Sequence, residues 1–136
     1  MKDIHQKLEC GFSPDTLIDL EDGRSINISE LMVNDVLRFG ERVTGIVKIS
    51  ASKVKTINEY LFDNKCIKCT GNVLINHEEL GTVNTCALSG SEINEEFLYN
   101  ITTNTGKFTA NGICVHDYSS GLEQHLNIYT IFHPIN

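Results

Sequence analysis

Four positions in this chain carry side chains from which nucleophilic acyl chemistry is assembled: the thiol of Cys10, the hydroxyl of Thr70, the imidazole of His116 and the carboxylate of Asp117. A thiol attacks a carbonyl as its thiolate, and an unperturbed cysteine is only a few per cent thiolate near neutral pH, so such a centre needs local activation. It also needs a proton for the leaving group and donors for the tetrahedral oxyanion. Each residue has an ordinary reading too. Cys10 can be a small buried side chain, Thr70 a strand threonine, His116 a structural imidazole and Asp117 the cap of a turn. A second candidate centre, Cys66-x-x-Cys69, has the spacing of a metal or redox pair, but no further ligand pair lies at the usual distance. Three apart in a predicted strand, these two side chains point to opposite faces.

The elements that must position these groups are short strands. Thr16 to Leu20 and Ser25 to Ile28 flank an Asp22-Gly23 turn, where glycine supplies the positive φ a tight hairpin needs. Ser29 to Asp35 predicts one helical turn with Ser29 as N-cap. Val36 to Phe39 and the alternating run Arg42 to Ser50 predict strands around Gly40-Glu41, and Lys53 to Phe62 continues the alternation to a turn at Asp63-Asn64. Further strands are predicted over Cys66 to Thr70, Val73 to Ile75, Thr82 to Leu88, Leu98 to Thr103, Lys107 to Ala110 and Ile113 to His116. Asn111-Gly112 is the strongest hairpin signal, and Leu88 to Glu96 reads as a polar surface loop. With no long segment of helical apolar period, the fold class is all-β.

Size and composition bound the rest. The 136 residues, 40% hydrophobic and 21% charged, suit one globular domain rather than a disordered chain. The net charge of −7 repels phosphate backbones, and Lys48, Lys53 and Lys55 are the nearest thing to a basic group, so no nucleic-acid partner is expected. Apolar runs are too short to span a membrane, and the opening MKDIHQKLE lacks the apolar stretch of a secretory signal. Five cysteines, an odd number, fit free thiols in a reducing, intracellular and cytoplasmic setting. Cys86 and Cys114 are expected to pack as small hydrophobes, with Cys114 near His116. The apolar stretch HLNIYTIF in the tail is expected to dock on a neighbouring surface.

Read in order, the motifs resemble a known family. Cys10 followed by Phe12, Asp15, Thr16, Ile18, Leu20, Asp22 and Gly23 resembles the first block of the Hint family, shared by inteins and hedgehog autoprocessing domains. Thr70-Gly71-Asn72 is similar to the start of its T-G-N-H block, and Leu98, Tyr99, Phe108, Asn111, Gly112, Val115 and His116 resemble its last block. The resemblance runs from Cys10 to Asp117. It implies a compact Hint-type fold of hairpins, with a pseudo-two-fold arrangement and termini close together. It divides the chain into a flanking segment 1–9, a domain 10–117 and a flanking segment 118–136.

The activity it implies is a single-turnover reaction on the protein's own backbone. Cys10 would attack the carbonyl of Glu9 to give a thioester, Thr70 would contact the amide or oxyanion, His116 would donate a proton or orient, and Asp117 would mark the C-terminal cut before Tyr118. The substrate is the chain's own flanking segments; a monomer without cofactor or metal is expected. Two positions depart from the pattern. The family's histidine position falls on Val73, and His77 is roughly 13 Å further along an extended strand. Inteins usually finish His-Asn before Cys, Ser or Thr, whereas this chain has His116-Asp117-Tyr118. Cleavage rather than full splicing is therefore expected; the alternatives are a Hint module that no longer reacts, with a structural or interaction role, and a cysteine-dependent metal or redox domain.

Overall fold

Short β-branched and aromatic runs separated by residues that accept positive φ give hairpins, and the computed structural model, which describes residues 10–54, 57–77 and 79–120, is built from them. Among the described residues the strands are β1 (Leu17–Asp19), β2 (Ser25–Asn27), β3 (Val43–Ser50), β4 (Ile57–Phe62), β5 (Lys65–Thr70), β6 (Leu74–His77), β7 (Gly81–Asn84), β8 (Gly90–Glu92), β9 (Phe97–Thr103), β10 (Lys107–Ala110) and β11 (Ile113–His116). All pairings between them are antiparallel: β1 with β2, β3 with β9, β5-β4-β8, and β10-β11-β6-β7. The turns between β4 and β5 and between β10 and β11 place both central residues at positive φ, Asp63 and Asn64 in the first and Asn111 and Gly112 in the second. That is the primed-turn geometry whose twist matches its strands.

The segment that opens the described chain joins two of these sheets. Phe12 donates its N–H to the Tyr99 carbonyl at 2.7 Å and accepts from the Tyr99 N–H at 2.8 Å, on the β9 side. On the β5 side, Ser13 N–H donates to the Lys68 carbonyl and Thr70 N–H to the Gly11 carbonyl. Residues 10–13 thus lie as an inserted strand between β9 and β5. Gly11 permits the approach, since a Cβ there would stand 2.9 Å from Leu98 Cβ. Phe12 is fully buried and meets Phe108 edge-on, with ring centroids 5.7 Å apart. Cys10, Cys69, Val73 and Tyr60 belong to the same core, while Ile49, Ile57 and Leu98 form a smaller cluster.

Several local expectations are corrected. The helical turn over Ser29 to Asp35 is instead a 3-10 turn over Ile28–Glu30, with Asn27 in the cap position and no side-chain cap bond. Burial of Ile28 in the core decides its register. Val36 and Leu37 make only isolated bridges, to Arg42 and Leu20, because the chain reverses at Gly40. The strand expected from Lys53 begins at Ile57, after a 3-10 turn over Ala51–Lys53. The one expected over Thr82 to Leu88 ends at Asn84 and gives way to a second 3-10 turn over Thr85–Ala87. Within the expected loop Leu88 to Glu96, β8 pairs with β4, satisfying a strand edge that local polarity does not reveal. Cys86 and Cys114 are exposed rather than packed as hydrophobes. Lys48 is exposed on β3, as expected of a solvated strand face, and its ammonium lies 4.2 Å from the Phe97 ring centroid. The tail stretch HLNIYTIF lies outside the described residues.

Candidate functional site

Cys10 enters the core where the inserted strand begins, and only 3% of it is exposed. The side-chain amide of Asn100, in β9, donates to the Cys10 carbonyl at 3.1 Å and to its Sγ at 3.4 Å. Asn100 Oδ1 accepts the N–H of Ile101 at 2.8 Å, which turns the amide's donor end toward the sulfur. Thr70, at the end of β5, faces the other side of the segment: its Oγ1 accepts the Gly11 N–H at 3.3 Å and donates to Asn72 Oδ1 at 2.6 Å. The Thr70 carbonyl is held in turn by the Thr85 hydroxyl at 2.6 Å. Cys10 and Thr70 are therefore brought together by backbone pairing across residues 11 and 70.

The neighbouring positions divide sharply. Cys69 is fully buried; loss of hydration pushes its thiol far above the ordinary range, against a hydrogen bond from Thr85 that lowers it, and a Cys10 charge adds to the rise. It is held as an inert thiol, and Cys66 faces solvent, so the Cys66-x-x-Cys69 pair does point to opposite faces. Val73 is 2% exposed in the main core and offers no proton. His77 does not stand in for it. Its Nδ1 accepts the N–H groups of Glu79 and Leu80, at 3.1 and 3.2 Å, and its ring meets Phe62 edge-on, so it ties the β6–β7 turn.

At the other end of the domain, His116 and Asp117 leave β11 together. Asp117 is 1% exposed and accepts two backbone N–H groups, from Thr103 at 2.8 Å and from Ser120 at 2.7 Å. The second bond caps a helical turn that opens at Tyr118. His116 Nδ1 lies 3.2 Å from Ser120 Oγ and its Nε2 lies 3.4 Å from Asn76 Oδ1, on β6. Burial first and the Lys107 charge next lower its pKa from the usual 6.5, against a raising contribution from Asp117. Tyr118 packs against both apolar clusters. Gly11 abuts Leu98 and Ile49 of the smaller one, so the two ends of the domain meet there.

Both halves of the site hang on β9. Asn100 holds Cys10 and the Thr103 N–H holds Asp117, three residues or about 10 Å apart along the strand. Glu9, the carbonyl partner expected for Cys10, lies outside the described residues. Asn100, Asn76 and Ser120 were not singled out from the sequence. A signal existed for Asn100: it shares a strand face with Leu98, and asparagine is disfavoured in strand interiors. For Asn76 there was none, because His116 lies 40 positions away; Ser120 meets His116 only four residues back, through the turn that Asp117 caps. Among the described residues no group of three or more His, Cys, Asp or Glu side chains is placed to hold a metal.

No protein-family model matches the chain, and no curated protein matches it by sequence. Solved structures do match in fold. The gp41-1 intein superposes with a TM-score of 0.64 at 21% identity, over 80% of this chain and 99% of that one. A variant of the Ssp DnaB mini-intein gives 0.66 at 17% identity, over 80% and 95%. A bacterial intein-like domain from Clostridium thermocellum gives 0.65 at 13% identity, over 79% and 98%. With its antiparallel hairpins, its inserted opening strand and its ends meeting on one cluster, the chain has the Hint fold of inteins and intein-like domains.

Proposed function

We propose that the chain is a self-processing domain that converts the Glu9–Cys10 peptide bond into a thioester. Cys10 Sγ attacks the Glu9 carbonyl carbon, the C–N bond breaks, the freed amine takes a proton, and residues up to Glu9 remain on sulfur until water or a thiol releases them. The observation that carries this reading is the seating of Cys10: its thiol is buried, with an amide donor from Asn100 on the sulfur and the Thr70 hydroxyl on the following peptide N–H. A donor aimed at sulfur is placed to stabilise charge that develops there, and a fixed flanking peptide holds the attack geometry. The matches to inteins support the same activity by analogy of fold.

The substrate is the protein's own flanking segments, 1–9 before the domain 10–117 and 118–136 after it. His116 serves the C-terminal side. Cleavage after Asp117 requires its carboxyl to attack its own carbonyl and so to release both backbone hydrogen bonds it now accepts. That makes it the slower step, and N-terminal cleavage the main product. One observation favours the second reading, a Hint module that no longer reacts: Val73 is sealed in the core where the family has its histidine. Incubating the purified chain with dithiothreitol and following intact mass decides between them. Loss of residues 1–9, abolished by Cys10→Ala, is expected; an unchanged wild-type mass over days sinks the thioester reading.

A further inference from the structure

Among the described residues, four of the eight large apolar side chains left exposed fall within positions 32–39: Met32, Val33, Val36 and Phe39. The stretch that carries them is held from beneath. Leu31 and Leu37 are buried in the main core, Asn34 N–H donates to the Val43 carbonyl at 2.8 Å, and Leu37 N–H donates to the Glu41 carbonyl at 2.8 Å. Carboxylates close its two turns, Asp35 accepting the Met32 N–H and Glu41 the Phe39 N–H, each at 2.9 Å. These acids are turned to the backbone, while Arg38 and Arg42 lie exposed beside the apolar side chains. Phe39 and Met32, 72% and 69% exposed on turns fixed in this way, form the kind of apolar surface that marks a docking site.

The place where the described chain ends points to what covers this surface. Ser120 lies beside Gly106, where an added Cβ would stand 3.6 Å from the Ser120 Cβ. Two residues before Gly106, Asn104 is bonded twice to Arg42: its N–H donates to the Arg42 carbonyl at 3.1 Å and its Oδ1 accepts the Arg42 N–H at 2.9 Å. Arg42 in turn bridges to Val36, so Ser120 stands at the foot of the exposed loop. Residues 121–136 follow, with Leu126, Ile128, Ile131 and Phe132 close together and Glu123 as their one acid. Six residues of chain reach up to about 20 Å, which brings Leu126 within range of the loop. We propose that residues 125–132 dock on Met32, Val33, Val36 and Phe39 of the same chain, with Glu123 toward Arg38 and Arg42. Mutual burial of apolar side chains drives the contact, and the tether makes it a reaction within one molecule at an effective concentration of about millimolar order. The C-terminal flank is then a cover for the domain, whether or not the thioester reading holds.

The test uses the full chain carrying Cys10→Ala, so that thioester chemistry leaves it intact. With benzoylphenylalanine in place of Phe39, irradiation should join position 39 to residues within 122–132 of the same chain, at the mass of a monomer. The same probe in place of Leu61, an exposed side chain on β4, should capture that segment at least tenfold less. Ile128→Asp combined with Phe132→Asp should lower capture at position 39 by a similar factor. As a second measurement, amide hydrogen exchange over 125–132 should quicken at least tenfold in Met32→Ser combined with Phe39→Ser; both positions lie outside the core, so the fold survives the change. A cross-link at dimer mass gives the surface to a second copy and overturns the proposal. Photolysis without a cross-link to 122–132, equal capture from position 61, or exchange unchanged by the two serines overturns it as well.

Discussion

The two ends of the site sit on one strand and in opposite environments. At the Cys10 end a thiol lies in an apolar core, with one amide on the sulfur and the Thr70 hydroxyl on the next peptide. At the His116 end, Asn76, His116 and Ser120 form a partly exposed polar relay beside a buried carboxylate. A dry pocket magnifies each single hydrogen bond and penalises any group left unpaired. A half-open relay tolerates rearrangement and answers to pH. The proposed nucleophile thus lies in the apolar core, and the proposed proton-handling groups lie in a polar cluster.

The contrast breaks most completely at Phe12. Phe12→Ala empties a fully buried site against Phe108 and should cost about 3–5 kcal/mol in denaturant unfolding, because the strand that seats Cys10 loses its anchor. A loss under about 1 kcal/mol would show that residues 10–13 are not anchored there. Val73→His puts a proton donor into the dry end. Thiol-induced release of residues 1–9 should rise by about 10²-fold, the usual contribution of general acid catalysis, even as burying imidazole lowers stability. No gain in rate would mean that the missing donor does not limit the reaction. Asn100→Ala should slow release roughly tenfold by removing a hydrogen bond to the developing thiolate; Asn100→Asp replaces a donor on sulfur with a charge and should not restore it.

The smallest expected effect belongs to the polar end. The folded pKa of His116 lies below 6.5, so the unfolded chain binds its proton first as pH falls. Its stabilising contribution is whole above 6.5 and declines as pH drops from there toward the folded value. Thermal midpoints between pH 7.5 and 5 should therefore fall less steeply in His116→Gln than in the wild type. Equal slopes would place His116 in water.

Much of this was legible beforehand. Strand alternation and the turn pairs Asp63-Asn64 and Asn111-Gly112 are local properties, set by side-chain period and by residues that accept positive φ, and these hairpins form as expected. The place of Cys10, Thr70 and His116 in the motif order pointed to one fold. The 3-10 turns at Ile28–Glu30 and Thr85–Ala87 were misjudged because core contacts, rather than propensity, end those strands. β8 was read as loop because its three residues are all exposed and only pairing with β4 makes them a strand.

What the sequence determined by itself is the order of the candidate groups along the chain and the hairpins that carry them, since both depend on neighbours in the chain. Which groups meet was decided only by tertiary structure. Asn100 reaches Cys10 across 90 positions, and His116 meets Asn76 across 40, through strand pairing that no local pattern encodes. The same long-range pairing buried both Val73 and His116, and placed an aliphatic side chain in the main core and an imidazole beside Asn76 and Ser120.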